Sequence, residues 1–424
     1  MLASMPQETP STLPSEGGEA PGSDDGGRWR TSYVVPVLIV AMAAGLIGAI
    51  ILLARAEQDA GTAALEAATV DGPLPVVVPY SEVGGLVVLD AMMGETGRPL
   101  PMILDTGAPT IVSEDIAARF AGSSVGTIAH ASGAGQVITS DVAVIPRVAI
   151  GEAVFRDAGA VVGAIEPGNA RYCITDSGFV GTGLLRAAAW QIDPTTDTVT
   201  IADGVENLGV EGATRLEIKP TTEAPHLLEV ELPLDGGSLS VVIDSGADTW
   251  LAVHPDDLAA IEMVPTDALP AVNTQRSVAG ASATTQSRWT SVELALADRE
   301  YTVPIALDPT MPEGRGLAGA EFLSRFITTI DWPDGAIYLQ PVEEVVPASP
   351  ASVGLAWDDG FVVGSFVDGL PMSEGLVLGA EVLALDDDPV QGAPFDDFCA
   401  RVVRGDGPDR YEMTIAGDPP PVSY

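Results

Sequence analysis

The sequence predicts a mainly β protein made of two equivalent lobes, with a small α+β domain behind them and one N-terminal transmembrane helix ahead. Three observations predict it. From residue 76 to residue 342, short Val, Ile and Leu runs alternate with Gly, Pro and Asp turns, as in "GLVVLDAMM", "PMILDTGA", "DVAVIPRVAI" and "TVTIAD", the pattern of successive β-strands. One ten-residue phrase is written twice, "ILDTGAPTIV" from Ile103 to Val112 and "VIDSGADTWL" from Val242 to Leu251. Finally, "YVVPVLIVAMAAGLIGAIILLA" from Tyr33 to Ala54 runs for 22 residues without a charge, and about 20 suffice to cross a bilayer core.

Composition narrows the function classes. A chain of 424 residues, 46% of them hydrophobic, has material for two to three cores. Its 60 acidic residues face 19 basic ones, for a formal charge of −41, so an anionic polymer is repelled and nucleic-acid binding is excluded. Cys173 and Cys399 are the only cysteines and fall in separate predicted domains, which points to structural thiols rather than a disulfide scaffold or a Cys-based metal site. His130, His226 and His254 are scattered without ligand spacing, so neither a metal nor a cofactor is implied.

In chain order, residues 1–30 are rich in Pro, Ser, Gly and Glu and read as a disordered acidic tail. Residues 33–54 form the membrane span. A cleavable signal peptide is the competing reading, because Ala54-Arg55-Ala56 has the small-x-small form of a cleavage site. The length of the apolar run and the tail before it favour an uncleaved anchor. Arg28 and Arg30 ahead of the span outnumber Arg55 behind it, which predicts a cytoplasmic N-terminus and the remaining chain outside the cytoplasm. Residues 55–75 read as a linker with at most one weak helix. Lobe 1 follows over 76–205 and lobe 2 over 213–342, with short helices at "SEDIAARF" and "EFLSRF".

The duplication extends beyond the two Asp phrases. "GFVGTGLLRAAAWQIDPTTDTVTI" (178–201) parallels "GLAGAEFLSRFITTIDWPDGAIYL" (316–339). Gly181 follows Asp105 by 76 residues, and Gly319 follows Asp244 by 75. Asp193 and Asp331 also match, ahead of the closing strands, where turn roles are expected. Two copies of one lobe account for this spacing.

These paired Asp-Thr-Gly and Asp-Ser-Gly loops, each followed by an apolar-apolar-Gly block, resemble the aspartic proteases. The resemblance is to the two-lobed pepsin-like arrangement, with the compact lobes of bacterial retropepsin-like proteins. It implies that Asp105 and Asp244 are the catalytic pair and that the Thr106 and Ser245 hydroxyls bond across to the opposite lobe. Gly107 and Gly246 would let the backbone turn tightly. Phe179-Val180-Gly181 and Leu317-Ala318-Gly319 would pass beneath the Asp loops. Two carboxyls held a few ångströms apart cannot both ionise easily, so they share a proton and can supply base and acid together. The expected function is a membrane-anchored aspartic-type endopeptidase acting on protein or peptide substrates.

The same resemblance suggests a flap over the cleft at residues 130–141, with Ser132, Gly133, Ala134 and Gly135 at its substrate-facing tip. "RSVAGASATTQ" is the counterpart in lobe 2. Neither hairpin carries the Tyr that pepsin-like flaps use. After a Pro/Ala/Ser linker, residues 353–418 resemble a PDZ domain of the bacterial protease-associated kind, which captures peptides at a sheet edge. Gly379-Ala380 departs from that family's Gly-Asp, and Asp358 and Asp359 near Gly354-Leu355 would repel a terminal carboxylate. The alternative function is a catalytically silent, protease-like peptide-binding protein of the cell envelope. Because both lobes lie in one chain, a monomer completes the site.

Overall fold

A computed structural model describes residues 51–424, apart from positions 96, 132–136, 164, 220–225, 235, 264, 266, 277–281, 297–298, 343–352, 371–372, 406–411, 418–421 and 424. The predicted tail, most of the predicted span and the flap tip lie outside the described residues. None of the described helices is long and apolar enough to cross a membrane. The chain divides into two units, residues 1–55 and 56–424. Of the first, only residues 51–55 are described, and they are helical.

The second unit opens with helical residues 56–65 (α1). The sequence predicted a linker here, yet these residues join lobe 1. Leu65 is buried with Ile128, Val142 and Val161, and a Cβ on Gly61 would lie 2.3 Å from the Thr127 carbonyl. Small residues at the contact let the helix backbone touch the sheet, a closeness that helix propensity alone does not reveal.

Lobe 1 continues through β1 (Thr69–Asp71), β2 (Val76–Pro79), β3 (Ser81–Val83), β4 (Leu86–Met93), β5 (Leu100–Leu104) and β6 (Ile111–Val112). Strand alternation sets the faces: Val76 and Val78 of β2 are buried, while Val77 between them is 63% exposed. Ser113 caps α2 (Glu114–Phe120) by accepting the Ile116 N–H, with Glu114 and Asp115 in the first turn. The hairpin β7 (Gly126–Ala131) and β8 (Val137–Ile150) comes next, then β9 (Ala153–Val162). A 3₁₀ turn at Ala170–Cys173 leads into β10 (Gly178–Val180), α3 (Thr182–Leu185), β11 (Ala189–Asp193) and β12 (Thr198–Ala202).

Lobe 2 repeats the plan. It runs through β13 (Thr214–Glu217), β14 (Glu229–Leu234), β15 (Gly237–Ile243), β16 (Leu251–Val253) and α4 (Pro255–Ala260). The hairpin β17 (Leu269–Arg276) and β18 (Ser282–Leu296) follows, then β19 (Arg299–Leu307), β20 (Gly316–Ala318), α5 (Ala320–Leu323), β21 (Phe326–Asp331) and β22 (Ala336–Pro341). Among the described residues, the lobes meet in a six-stranded sheet ordered β13-β22-β21-β11-β12-β2. Its seam is the antiparallel pairing of β11 with β21, Ala189 opposite Asp331 and Ile192 opposite Thr328. Each lobe has its own apolar core, and Trp332 packs against both.

The C-terminal domain contains β23 (Val353–Trp357), β24 (Phe361–Val367), β25 (Val382–Leu385), β26 (Asp388–Pro389), α6 (Phe395–Phe398), β27 (Glu412–Ile415) and β28 (Val422–Ser423). Strand β24 pairs with β17, so the β23–β24 hairpin extends the lobe 2 sheet. Past α6 the helix continues as a wider turn through Cys399–Val403. Here the expectation of two free thiols is corrected: Cys173 and Cys399 form a disulfide across 226 residues. Assigning the cysteines to separate domains was no bar, because the 3₁₀ turn of lobe 1 and the C-terminal helix dock together and bury both sulfurs in one cluster with Phe398 and Val403.

Candidate active site

Strands β5 and β15 end at Leu104 and Ile243, and the next residue in each case is the Asp of the repeated phrase. Neighbouring strands pin both loops. The Asp105 N–H donates to the Val180 carbonyl at 2.9 Å, and the Asp244 N–H donates to the Ala318 carbonyl at 2.9 Å. These carbonyls belong to β10 and β20, each running parallel to the strand that delivers its Asp. The apolar-apolar-Gly segments therefore lie beside the Asp loops, and each glycine leaves room for a carbonyl. A Cβ on Gly181 would sit 2.4 Å from the Ala108 carbonyl oxygen, and one on Gly319 would sit 2.4 Å from that of Thr249.

Four hydrogen bonds lock the two loops together. The Thr106 N–H donates to Ser245 Oγ at 3.1 Å, and the Ser245 N–H donates to Thr106 Oγ1 at 2.9 Å. The Thr106 hydroxyl donates to the Ile243 carbonyl at 2.8 Å, and the Ser245 hydroxyl donates to the Leu104 carbonyl at 2.7 Å. Each hydroxyl thus both donates and accepts across the lobe boundary, and both residues are buried. Within each loop the Gly107 N–H donates to Asp105 Oδ1 at 3.0 Å and the Gly246 N–H donates to Asp244 Oδ1 at 2.9 Å.

Gly107 and Gly246 lie in turns, and their small size serves a further purpose there. Neither lies in the left-handed region; each is small because the opposite carboxyl is close. A Cβ on Gly107 would lie 2.3 Å from Asp244 Cγ, and one on Gly246 would lie 2.4 Å from Asp105 Cγ.

The Asp105 and Asp244 carboxyls face each other, each lying against the glycine of the opposite loop. Burial pushes both above the ordinary carboxylate range, and the Asp244 charge pushes Asp105 further. Opposing this are the Arg171 cation and the backbone N–H donors of Gly107, Gly246 and Ala247. Two carboxyls held this close hold one proton between them more readily than both ionise. The pair titrates as one unit.

Arg171 was not singled out from the sequence. It stands on the 3₁₀ turn Ala170–Cys173, and its guanidinium donates to the Gly246 carbonyl. The available signal was asymmetry in the repeat, since 163–177 in lobe 1 is longer than the equivalent 308–315 in lobe 2. Ser132, Gly133, Ala134 and Gly135 lie outside the described residues, and β7 and β8 pair up to Ala131 and Val137 on either side of them. Asp193 and Asp331 are away from the carboxyl pair. Asp193 accepts from the Thr195 N–H, and Asp331 accepts from the N–H groups of Val205 and Asp334. Among the described residues, His254, Asp256 and Glu313 bring metal-ligand atoms within 4.8 Å of one another, but His254 Nδ1 already accepts the Asp256 N–H as the α4 cap.

No protein-family model matches the chain, and no curated protein sequence matches it. Among solved structures it is similar to the aspartic proteinase from Irpex lacteus, at 14% identity and a TM-score of 0.43, over 65% of this chain and 100% of that one.

Proposed function

We propose that the chain is an aspartic-type endopeptidase that hydrolyses peptide bonds with a water activated by Asp105 and Asp244. One observation carries this reading: two half-buried carboxyls on equivalent loops face each other, while four hydrogen bonds lock the loops in register. The ionised member of the pair takes a proton from water as the water oxygen attacks the peptide carbon. Its protonated partner donates to the carbonyl oxygen, and a tetrahedral gem-diol forms without a covalent enzyme intermediate. A proton then passes to the amide nitrogen, and the C–N bond breaks. The cross-locked loops supply preorganisation, because the acid and base need not move as charge develops.

The reading predicts a bell-shaped pH dependence. Activity requires one proton on the pair, so it falls at low pH as the pair takes a second proton and at high pH as it loses the shared one. Because burial and the Asp244 charge raise Asp105, the alkaline limb lies above the ordinary carboxylate value of about 4. The test is cleavage of an unstructured protein by the purified full-length chain across pH, beside Asp105→Asn and Asp244→Asn. Both variants should fold and lose hydrolysis by at least about 1,000-fold. Retention of most activity in either would refute the assignment.

The proposal extends to an enzyme tethered through residues 33–54 and working outside the cytoplasm. The Cys173–Cys399 bond supports an oxidising compartment. Protease protection on intact cells tests the topology, and digestion of the C-terminal portion only after lysis would reverse it. Strand β23 ends its sheet, which supports peptide capture by strand addition in the C-terminal domain.

A further inference from the structure

The asymmetry between the lobes lies beside the reactive pair. The longer lobe 1 connection folds as the 3₁₀ turn Ala170–Cys173, capped by Asn169 Oδ1, which accepts the Arg171 N–H at 2.9 Å. The N–H groups of Ile174 and Thr175 return to the Arg171 carbonyl at 3.0 Å each, so the residue is held on both sides. Its side chain is 21% exposed and crosses to lobe 2, where the guanidinium donates to the Gly246 carbonyl and lies 3.5 Å from the Asp248 carboxylate. Gly246 is the residue whose N–H holds Asp244 Oδ1. One loop of lobe 2 is therefore gripped at its carbonyl by lobe 1.

The far side of the same turn is tied to the C-terminal domain. Cys173, two residues beyond Arg171, is bonded to Cys399, and Arg404 donates to the Cys173 carbonyl at 3.4 Å. The Tyr172 ring lies 6.2 Å from that of Phe395. The geometry points to Arg171 as a positioning residue for the Asp105–Asp244 pair, with the C-terminal domain strapping it in place through the Cys173–Cys399 bond. This inference rests on the peptidase reading and deepens it by giving the C-terminal domain a part in the chemistry.

The charged groups in range are few. The two carboxyls face each other and Arg171. Arg171 faces Asp248. Beyond Asp248 lies Glu321, which also faces Arg325 and Glu82. Arg171 lowers both members of the pair, so its removal raises both. The one-proton form then persists to higher pH and begins at higher pH.

The experiment is the kcat/KM pH profile of the full-length chain beside Arg171→Gln, Arg171→Lys and the double variant Cys173→Ser/Cys399→Ser. Arg171→Gln should move both limbs upward by about one pH unit, and Arg171→Lys should restore much of the shift. The cysteine double variant should move the limbs the same way by a smaller amount. Lower kcat with unmoved limbs, unrescued by lysine, would overturn the positioning role; unmoved limbs in the folded cysteine variant would overturn the strap. Titration of ¹³Cγ-labelled aspartates by NMR reads the same shift without turnover. An inactive chain whose pair still titrates higher in Arg171→Gln would refute the peptidase and keep the placement of Arg171, whereas an active chain with unchanged limbs would do the reverse.

Discussion

Asp105 binds its proton more tightly in the folded chain than in the unfolded one, because burial and the Asp244 charge both raise it. A raised carboxyl contributes stability that is fully present below the unfolded value of about 4 and is lost as pH rises through the folded value. Each unit of displacement is worth about 1.4 kcal/mol. Asp105→Asn should therefore raise Tm at pH 7, leave it nearly unchanged at pH 3, and abolish cleavage at both; thermal melts at the two pH values check it. Thr106 makes the complementary case. Thr106→Val leaves the Ser245 N–H and the Ile243 carbonyl without the hydroxyl they meet, costing about 2–4 kcal/mol by denaturant unfolding. Thr106→Ser keeps the hydroxyl and should cost less than about 1 kcal/mol.

At the scale of elements, what matters is how closely two loops can approach. Gly246→Ala places a methyl group 2.4 Å from Asp105 Cγ, so the Asp105 carboxyl must move to make room for it. The substitution should cut hydrolysis by at least about 100-fold, since a displacement of about 1 Å in the reacting groups costs that much, and should lower Tm; activity near wild type would contradict so close an approach of the loops. Much at this scale was legible in the chain. The alternation in β2 and the Ser113 cap of α2 are local signals, and the structure contains both elements. The role of α1 was not legible, because the partners of Gly61 and Leu65 are contributed by β7, β8 and β9, strands that follow it by dozens of residues.

In the molecule as a whole, the lobes share one sheet, and the C-terminal domain is attached to both of them. It reaches lobe 2 through the β17–β24 pairing and lobe 1 through the disulfide. Removing a bond that closes a 226-residue separation should cost about 2–4 kcal/mol, so Cys173→Ser/Cys399→Ser should melt earlier than the wild type in the absence of reductant. Equal melting of the two would show that the bond does not stabilise the fold. The amino-acid order by itself determined the repeat, the strand-rich lobes and the two Asp loops, since each is written in contiguous residues whose spacing and polarity act over a few positions. Only the tertiary structure decided that Gly107 and Gly246 make room for carboxyls, that Cys173 meets Cys399, and that Arg171 reaches the pair. Those outcomes depend on the docking of segments distant in sequence, and a contact made by docking leaves no periodicity in the chain to be read.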